Sequence, residues 1–202
     1  MQARTFTEAG RRAQIVTAAI EVIAEAGYAK ASFSRIAQHA GLSSTGMISY
    51  HFAGKADLLT ACVAEIEQVT TAFMGPFVDA AEGHVAQLRA YVESNIALIG
   101  AHPAAVRALI DIVRNAAAPS TSVSGRRTVV EEHFRAGQAA GVFCAFDVPA
   151  VTTALLAGLD AAVVAAAAAE PRPEPGELAR LGRELADLYV RATAASPERN
   201  PS

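Results

Sequence analysis

Tryptophan is absent from this chain, and cysteine occurs only twice, at Cys62 and Cys144. Both cysteines lie in apolar, helix-type surroundings without the spacing of a metal site. They exclude a disulfide framework and read as buried free thiols in a reducing cytoplasm. Apolar–polar alternation at a period of two is scarce, which argues against sheet. The N-terminus has no long apolar run followed by a cleavage site, so no secretory signal is expected. The longest apolar stretch, Ala161–Ala169, is too short and too rich in alanine to span a bilayer, so no membrane partner is expected. No metal-ligand cluster, nucleophile–base arrangement or phosphate-binding glycine loop occurs, and no internal repeat is visible. The expectation is a non-enzyme without cofactor or metal.

Alanine and aliphatic residues are what the chain does have. At 202 residues and 52% hydrophobic it can bury a core in one or two domains. The net charge of −3 is unevenly spread. Residues 1–55 hold six basic residues (Arg4, Arg11, Arg12, Lys30, Arg35, Lys55) against three acidic ones (Glu8, Glu21, Glu25), a balance of +3 that leaves −6 on the remainder. A basic head on an acidic body suits a surface that faces phosphates.

Residues 34–55, SRIAQHAGLSSTGMISYHFAGK, read as a short helix, a tight glycine turn, a second short helix and a lysine that opens a third. Ile36, Ala37 and Ala40 recur at helical spacing, and Gly41 follows where a helix most cheaply ends left-handed. Ser43 and Ser44 are N-cap candidates for the next helix. This is a helix-turn-helix, the unit that places one helix in the DNA major groove. Upstream, Arg12, Ile15, Val16, Ala18, Ala19, Val22, Ile23 and Gly27-Tyr28 form an amphipathic helix and its stop. Ser32-Phe33, Ile36-Ala37, Ala40-Gly41-Leu42-Ser43, Gly46, His51-Phe52, Lys55 and Leu58-Leu59 follow. In order and spacing this set, over roughly residues 8–60, resembles the DNA-binding domain of the tetracycline-repressor (TetR) family of bacterial transcriptional regulators. It departs from the family pattern twice. The run Gly41-Leu42-Ser43-Ser44-Thr45-Gly46 is one residue longer than the usual Gly-x-Ser-x-Gly, and Ser49 stands where a phosphate-contacting tyrosine is usual, with Tyr50 one place later.

The expected architecture is all-α, with a three-helix head (1–54), a six-helix ligand-binding and dimerisation body (55–195) and a disordered tail (196–202). A first helix from a capping box at Thr5–Glu8 runs to Gly27, and Ser32 caps the second. The third spans about Ser44 to Tyr50, and the fourth starts at Gly54-Lys55 and ends near Gly75-Pro76. Helices over 83–101 and 103–116 are followed by a loop at 117–125 and a helix over 126–140. Asp147 caps a long helix to about residue 169, and the last covers 177–195. The resemblance implies the same three-plus-six division.

Residues at the start of a recognition helix meet base edges, which here nominates Ser43, Ser44, Thr45 and Met47. The bland reading of the two serines is capping alone. Gly46, taken as lying inside the helix, suggests close approach to DNA or, equally, to the first helix. Ser49, Tyr50, His51 and Lys55 follow at the helix exit, where hydroxyl, imidazole and ammonium groups hold phosphate oxygens. Lys55 also opens the fourth helix, whose N–H groups favour an anion. His51 could instead bond inside the turn. In the body, Phe73, Tyr91, Asn95, Arg114, His133 and Phe134 are polar and aromatic handles for a small-molecule effector, although each is more ordinarily core or surface. The long helix is apolar nearly all round. Leu155, Gly158 and Ala162 on it, with Leu181, Leu185 and Leu188 on the last helix, are nominated for a two-fold four-helix bundle in a homodimer; the alternative is packing within one chain. Double-stranded operator DNA with an inverted repeat is the expected partner. The leading reading is a cytoplasmic repressor released by a small apolar or amphipathic ligand. The alternative is a helical ligand-binding or interaction protein whose head does not bind DNA.

Overall fold

The structure, a computed structural model, describes residues 2–115 and 121–195, with side chains described over 8–115 and 125–195. The described residues form nine α-helices and one 3-10 turn, with no strand among them. The helices are α1 (Gln2–Ala26), α2 (Phe33–His39), α3 (Gly46–His51), α4 (Lys55–Asp79), α5 (His84–Ala101), α6 (Pro103–Asn115), α7 (Thr121–Ala139), α8 (Val148–Ala168) and α9 (Pro175–Thr193). The 3-10 turn is Tyr28–Lys30.

The chain divides into two compact units, Met1–Thr70 with His102–Pro119, and Thr71–Ala101 with Ser120–Ser202. The division falls inside α4 and places α6 with the head, whereas the sequence reading drew it at 54/55. In the first unit α1 buries Ile15, Val16, Ala19, Val22 and Ile23, the stripe that helical spacing dictates. α2 adds Ile36 and Ala37, α4 adds Leu58, Leu59, Cys62 and Ile66, and α6 adds Ala108 and Ile112 to the same core. α1 stops because Gly27 takes φ 86°, where a side chain is strained. α2 is capped by Ser32, whose Oγ accepts from the Arg35 N–H at 3.3 Å. Its end is closed by the Leu42 N–H donating to the Ala37 carbonyl at 2.8 Å.

In the second unit α5 lies along α9 so closely that a Cβ added to the buried Gly182 would lie 3.3 Å from the Glu93 Cα. Arg89 ties α5 to α9 by an ion pair to Asp187 (2.5 Å), and pairs within α5 with Glu93 (3.4 Å). α7 packs on α8, where Arg126 meets Asp160 at 2.7 Å. The segment after α7 pairs with the end of α9, Cys144 N–H donating to the Thr193 carbonyl at 2.9 Å.

Several boundaries differ from expectation. α1 begins at Gln2, not near Thr5, and the side chains of the expected capping box at 5–7 lie outside the described residues. α4 does not end at Gly75-Pro76 but runs through Pro76 to Asp79. Proline removes one donor, yet Ala80 N–H still donates to the Pro76 carbonyl at 3.2 Å, and the Phe73 and Phe77 rings pair across it at 5.5 Å. Of the expected loop 117–125, residues 117–120 are outside the described residues and 121–125 are helix. Serine and threonine cost a helix only tenths of a kcal/mol each, so loop-like composition did not decide that boundary. α9 starts at Pro175, because Glu174 and Glu177 form its capping box. The expected disordered tail lies outside the described residues. α8 is 21 residues long with mean hydropathy 1.8, which makes it long and apolar enough to cross a bilayer by length and composition. The nine-residue stretch singled out in the sequence understates it.

A candidate DNA-reading head

The recognition helix is short and held by one side chain. Of the six residues of α3 only Ile48 is buried, at 0% exposure. Phe52 closes the helix and is also buried. The rest of α3 and the turn before it faces outward: Ser43, Ser44, Thr45, Gly46 and Ser49 are exposed, Met47 is 38% and Tyr50 is 70% exposed. The nominated base-reading residues are therefore all solvent-exposed, with Met47 and Ser49 flanking the one inward residue of α3.

Three details depart from the sequence reading. Neither serine is the N-cap. Thr45 occupies that position in helical geometry, and no side chain caps the helix. The extra residue of the turn is the reason, since it moves the helix start one place beyond the serines. Gly46 is consequently the first helical residue and not an interior one, so the interior cost of glycine does not arise. A Cβ there would meet nothing closer than the Ser44 Oγ at 3.4 Å, so close packing on α1 does not explain it either. Lys55 is engaged within the fold: its Nζ donates to the Tyr28 carbonyl at 2.9 Å and lies 4.1 Å from the centroid of the Tyr28 ring. The start of α4 has its own anion, with Asp57 Oδ2 accepting from the Ala53 N–H at 3.0 Å.

Tyr50 donates its hydroxyl to Glu8 Oε1 at 3.3 Å, and half-buried His51 stands edge-on to the Tyr50 ring at 5.1 Å. Arg12 lies over the Phe52 ring at 4.9 Å, and Arg11 donates to Gln14 Oε1 at 2.7 Å. Arg35 and Lys30 are exposed. Two positioning contacts carry no sequence signal. Gln14 Nε2 donates to the Ala40 carbonyl at 2.8 Å, fixing the end of α2 to α1, and Asp111 of α6 accepts from the Tyr28 N–H.

In the second unit the nominated effector handles separate into distinct environments. Tyr91 and Asn95 lie one turn apart on α5. Asn95 is buried, and burial pushes the Tyr91 phenol up from its ordinary titration range. The Tyr91 hydroxyl and the Thr152 Oγ1 are buried polar atoms without a hydrogen-bond partner. Phe134 is packed among Phe143 (5.6 Å) and Phe146 (5.3 Å). His133 Nε2 pairs with the His84 carbonyl at 3.0 Å, and burial lowers its affinity for a proton. Arg114 is exposed on α6 and belongs to the first unit, whereas the other five belong to the second. An open groove of about 280 Å³ between α5 and α9, lined by Phe77, Glu93, Ser94, Ala179 and Arg183 among others, includes none of the six.

The nominated dimer residues also divide. Leu155 is fully buried in its own protomer and has no surface to offer a second chain. Gly158 is covered by Tyr189, since a Cβ there would lie 2.2 Å from the Tyr189 hydroxyl. Leu188 is 52% exposed, and Ala162, Leu181 and Leu185 are half-buried.

Residues 15–62, which hold α1 from its first buried residue through α3 into α4, match the family described as bacterial regulatory proteins of the tetR family. Over these residues the chain is similar to the tetR-family head. The HTH-type transcriptional regulator BetI 2 of Chromohalobacter salexigens is 46% identical over 56 residues, which are 28% of this chain and 27% of that protein. The chain thus matches about a quarter of that relative's length. The likeness to solved structures, at low identity, extends over most of the chain and concerns the all-α fold. The fatty acid degradation regulator FadR of Bacillus halodurans superposes with a TM-score of 0.79 at 22% identity, covering 89% of this chain and 94% of that one. FadR of Bacillus subtilis in complex with stearoyl-CoA gives 0.74 at 20% identity, covering 88% and 96%.

Proposed function

We propose that this chain is a sequence-specific DNA-binding transcriptional regulator, acting in the cytoplasm as a homodimeric repressor released by a small apolar or amphipathic ligand. The observation that carries the reading is the exposure of α3 and of the turn before it, with Ser43, Ser44, Thr45, Met47 and Ser49 open and Ile48 as the inward anchor. Hydroxyls meet donor or acceptor base edges, and the Met47 thioether and Thr45 methyl meet thymine methyls. Tyr50 and His51 at the helix exit serve phosphates.

The homodimer is supported by α8. Its mean hydropathy is 1.8, yet only 28% of its most apolar window is buried within the protomer. That apolar surface calls for a cover, and a second copy supplies one through Ala162 and Leu188 with Leu181 and Leu185. A lipid cover is the poorer fit, because Asp160 lies in mid-helix, ion-paired to Arg126. Two heads on a two-fold axis require an inverted-repeat operator. For the effector, the support is the partnerless Tyr91 hydroxyl beside Asn95 on α5; the fold is shared with a regulator that carries stearoyl-CoA, an amphipathic acyl compound. An effector that weakens DNA binding must itself bind DNA-loaded protein more weakly by the same factor.

Selection of DNA fragments retained by the purified full chain tests this. The expected result is enrichment of one inverted repeat, with affinity that falls steeply with salt. A folded protein that enriches no sequence would favour an interaction module whose head does not read DNA.

A further inference from the structure

Tyr28 stands where α1 gives way to the helix-turn-helix pair, and its peptide is held from both sides. Its N–H donates to Asp111 Oδ2 on α6. Its carbonyl accepts from Lys55 Nζ at 2.9 Å, and the same ammonium faces the Tyr28 ring. The other oxygen of Asp111 accepts from Asn115 Nδ2 at 2.7 Å, which orients the carboxylate. The Tyr28 N–H opens the 3-10 turn and has no partner within it. A donor left unpaired in this half-buried position is costly, and an ionised acceptor satisfies it better than a neutral one.

We propose that Asp111 and Lys55 clamp the Tyr28 peptide and thereby position the recognition helix, so that both set DNA affinity without touching a phosphate. This rests on the DNA-binding reading above. Tyr28 lies four residues before the Ser32 cap of α2, and Lys55 lies four residues after the end of α3. The clamp therefore joins the entry of the two-helix unit to its exit, with the third support arriving from α6. One Lys55 N–H is committed to the Tyr28 carbonyl and the charge is set against the aromatic face, which makes this lysine a poor free ligand for a phosphate. Asp111 provides the sharper distinction. It is an anion in a basic head, so charge alone predicts that removing it strengthens DNA binding. The clamp predicts the opposite.

The test uses the full chain, the DNA fragment enriched by the wild-type protein, and the variants Asp111→Ala, Asp111→Asn and Lys55→Met. Asp111→Ala and Lys55→Met are each expected to weaken binding about tenfold, the scale of one charge-assisted hydrogen bond. The slope of log affinity against log salt is expected to stay that of the wild type, and the double variant to be little worse than either single one. Asp111→Asn, which keeps an acceptor, should fall between, and it carries the test if Asp111→Ala does not fold. Hydrogen exchange at the Tyr28 amide should accelerate in Asp111→Ala while amides in the middle of α1 keep their protection. Unchanged or tighter binding by Asp111→Ala overturns the proposal. So does a salt slope reduced by about one unit in Lys55→Met, the signature of a lost phosphate contact. If the wild type enriches no DNA, the positioning role falls with the reading it rests on, and the Tyr28 exchange rate reports the clamp independently: no change in Asp111→Ala removes the clamp itself.

Discussion

Replacing Ile48 with alanine tests the construction of the head most directly. α3 has six residues, and Ile48 is the one it buries. The substitution removes three carbons from a fully enclosed site, for which large-to-small losses run at about 2–5 kcal/mol. The core that Ile48 joins draws on α1, α2, α4 and α6, which cannot all collapse into the space together, so a middle value of about 3 kcal/mol is expected. For a chain of this length that corresponds to a fall in melting temperature of about 6–12 °C. The local consequence should be larger than the global one. With its buried anchor gone, α3 is left with the exposed Tyr50–Glu8 hydrogen bond and half-buried His51, and about 3 kcal/mol shifts the docked-to-undocked ratio by roughly a hundredfold. Amide exchange within residues 46–51 should accelerate by that order, while exchange in α1 follows only the global change. Ser49→Ala, one residue away and exposed, is the control and should stay within about 0.5 kcal/mol of the wild type. Chemical denaturation with residue-resolved exchange makes the measurement. If Ile48→Ala melts within about a degree of the wild type and α3 keeps its protection, the single-anchor reasoning is wrong.

Three further outcomes are expected. Gly158→Ala should be close to neutral or mildly destabilising, because the gain of about 1 kcal/mol in helix propensity is offset by displacing the Tyr189 hydroxyl from the Ala154 carbonyl. Adding Tyr189→Phe should restore the gain, and a double-mutant cycle without coupling would show that the two side chains do not meet. Burial first, and then the neighbouring His84, lower the proton affinity of His133 below its ordinary 6.5, against a raising bond from the His84 carbonyl. The unfolded chain then binds more protons, so stability present above about pH 6.5 should decline as pH falls from there toward the folded-state value, and His133→Gln should flatten that slope in urea titrations. Burial pushes the Cys62 thiol up to about 12. A thiol reagent at neutral pH should therefore label half-exposed Cys144 first and reach Cys62 only as the chain unfolds; equal rates in native protein would contradict the burial.

Much of the head was legible as sequence because its signals are local. The spacing of Ile15, Val16, Ala19, Val22 and Ile23 sets the buried stripe of α1, Gly27 and Gly41 stop helices where left-handed backbone is required, and Ser32 and Asp147 cap the helices that follow them. Each of these is decided within a few residues of chain, where steric and hydrogen-bonding preferences act without help from the fold. Even the open residues of α3 follow once the phase of Ile48 is known. The serines predict too early a start for α3 because one added turn residue shifts the register without changing composition, and Pro76 reads as a stop because ring packing across it is not a property of the local sequence. The tertiary structure alone decided which unit α6 joins, that Lys55 and Asp111 both bond to Tyr28, that Leu155 is internal, and that Gly158 makes room for Tyr189. These pairs lie 27 to 83 residues apart, or depend on which side of an apolar helix meets its own chain. A helix such as α8, apolar nearly all round, carries no periodic mark of its inward side, so only the neighbours it packs against determine which residues are buried and which are left for another surface.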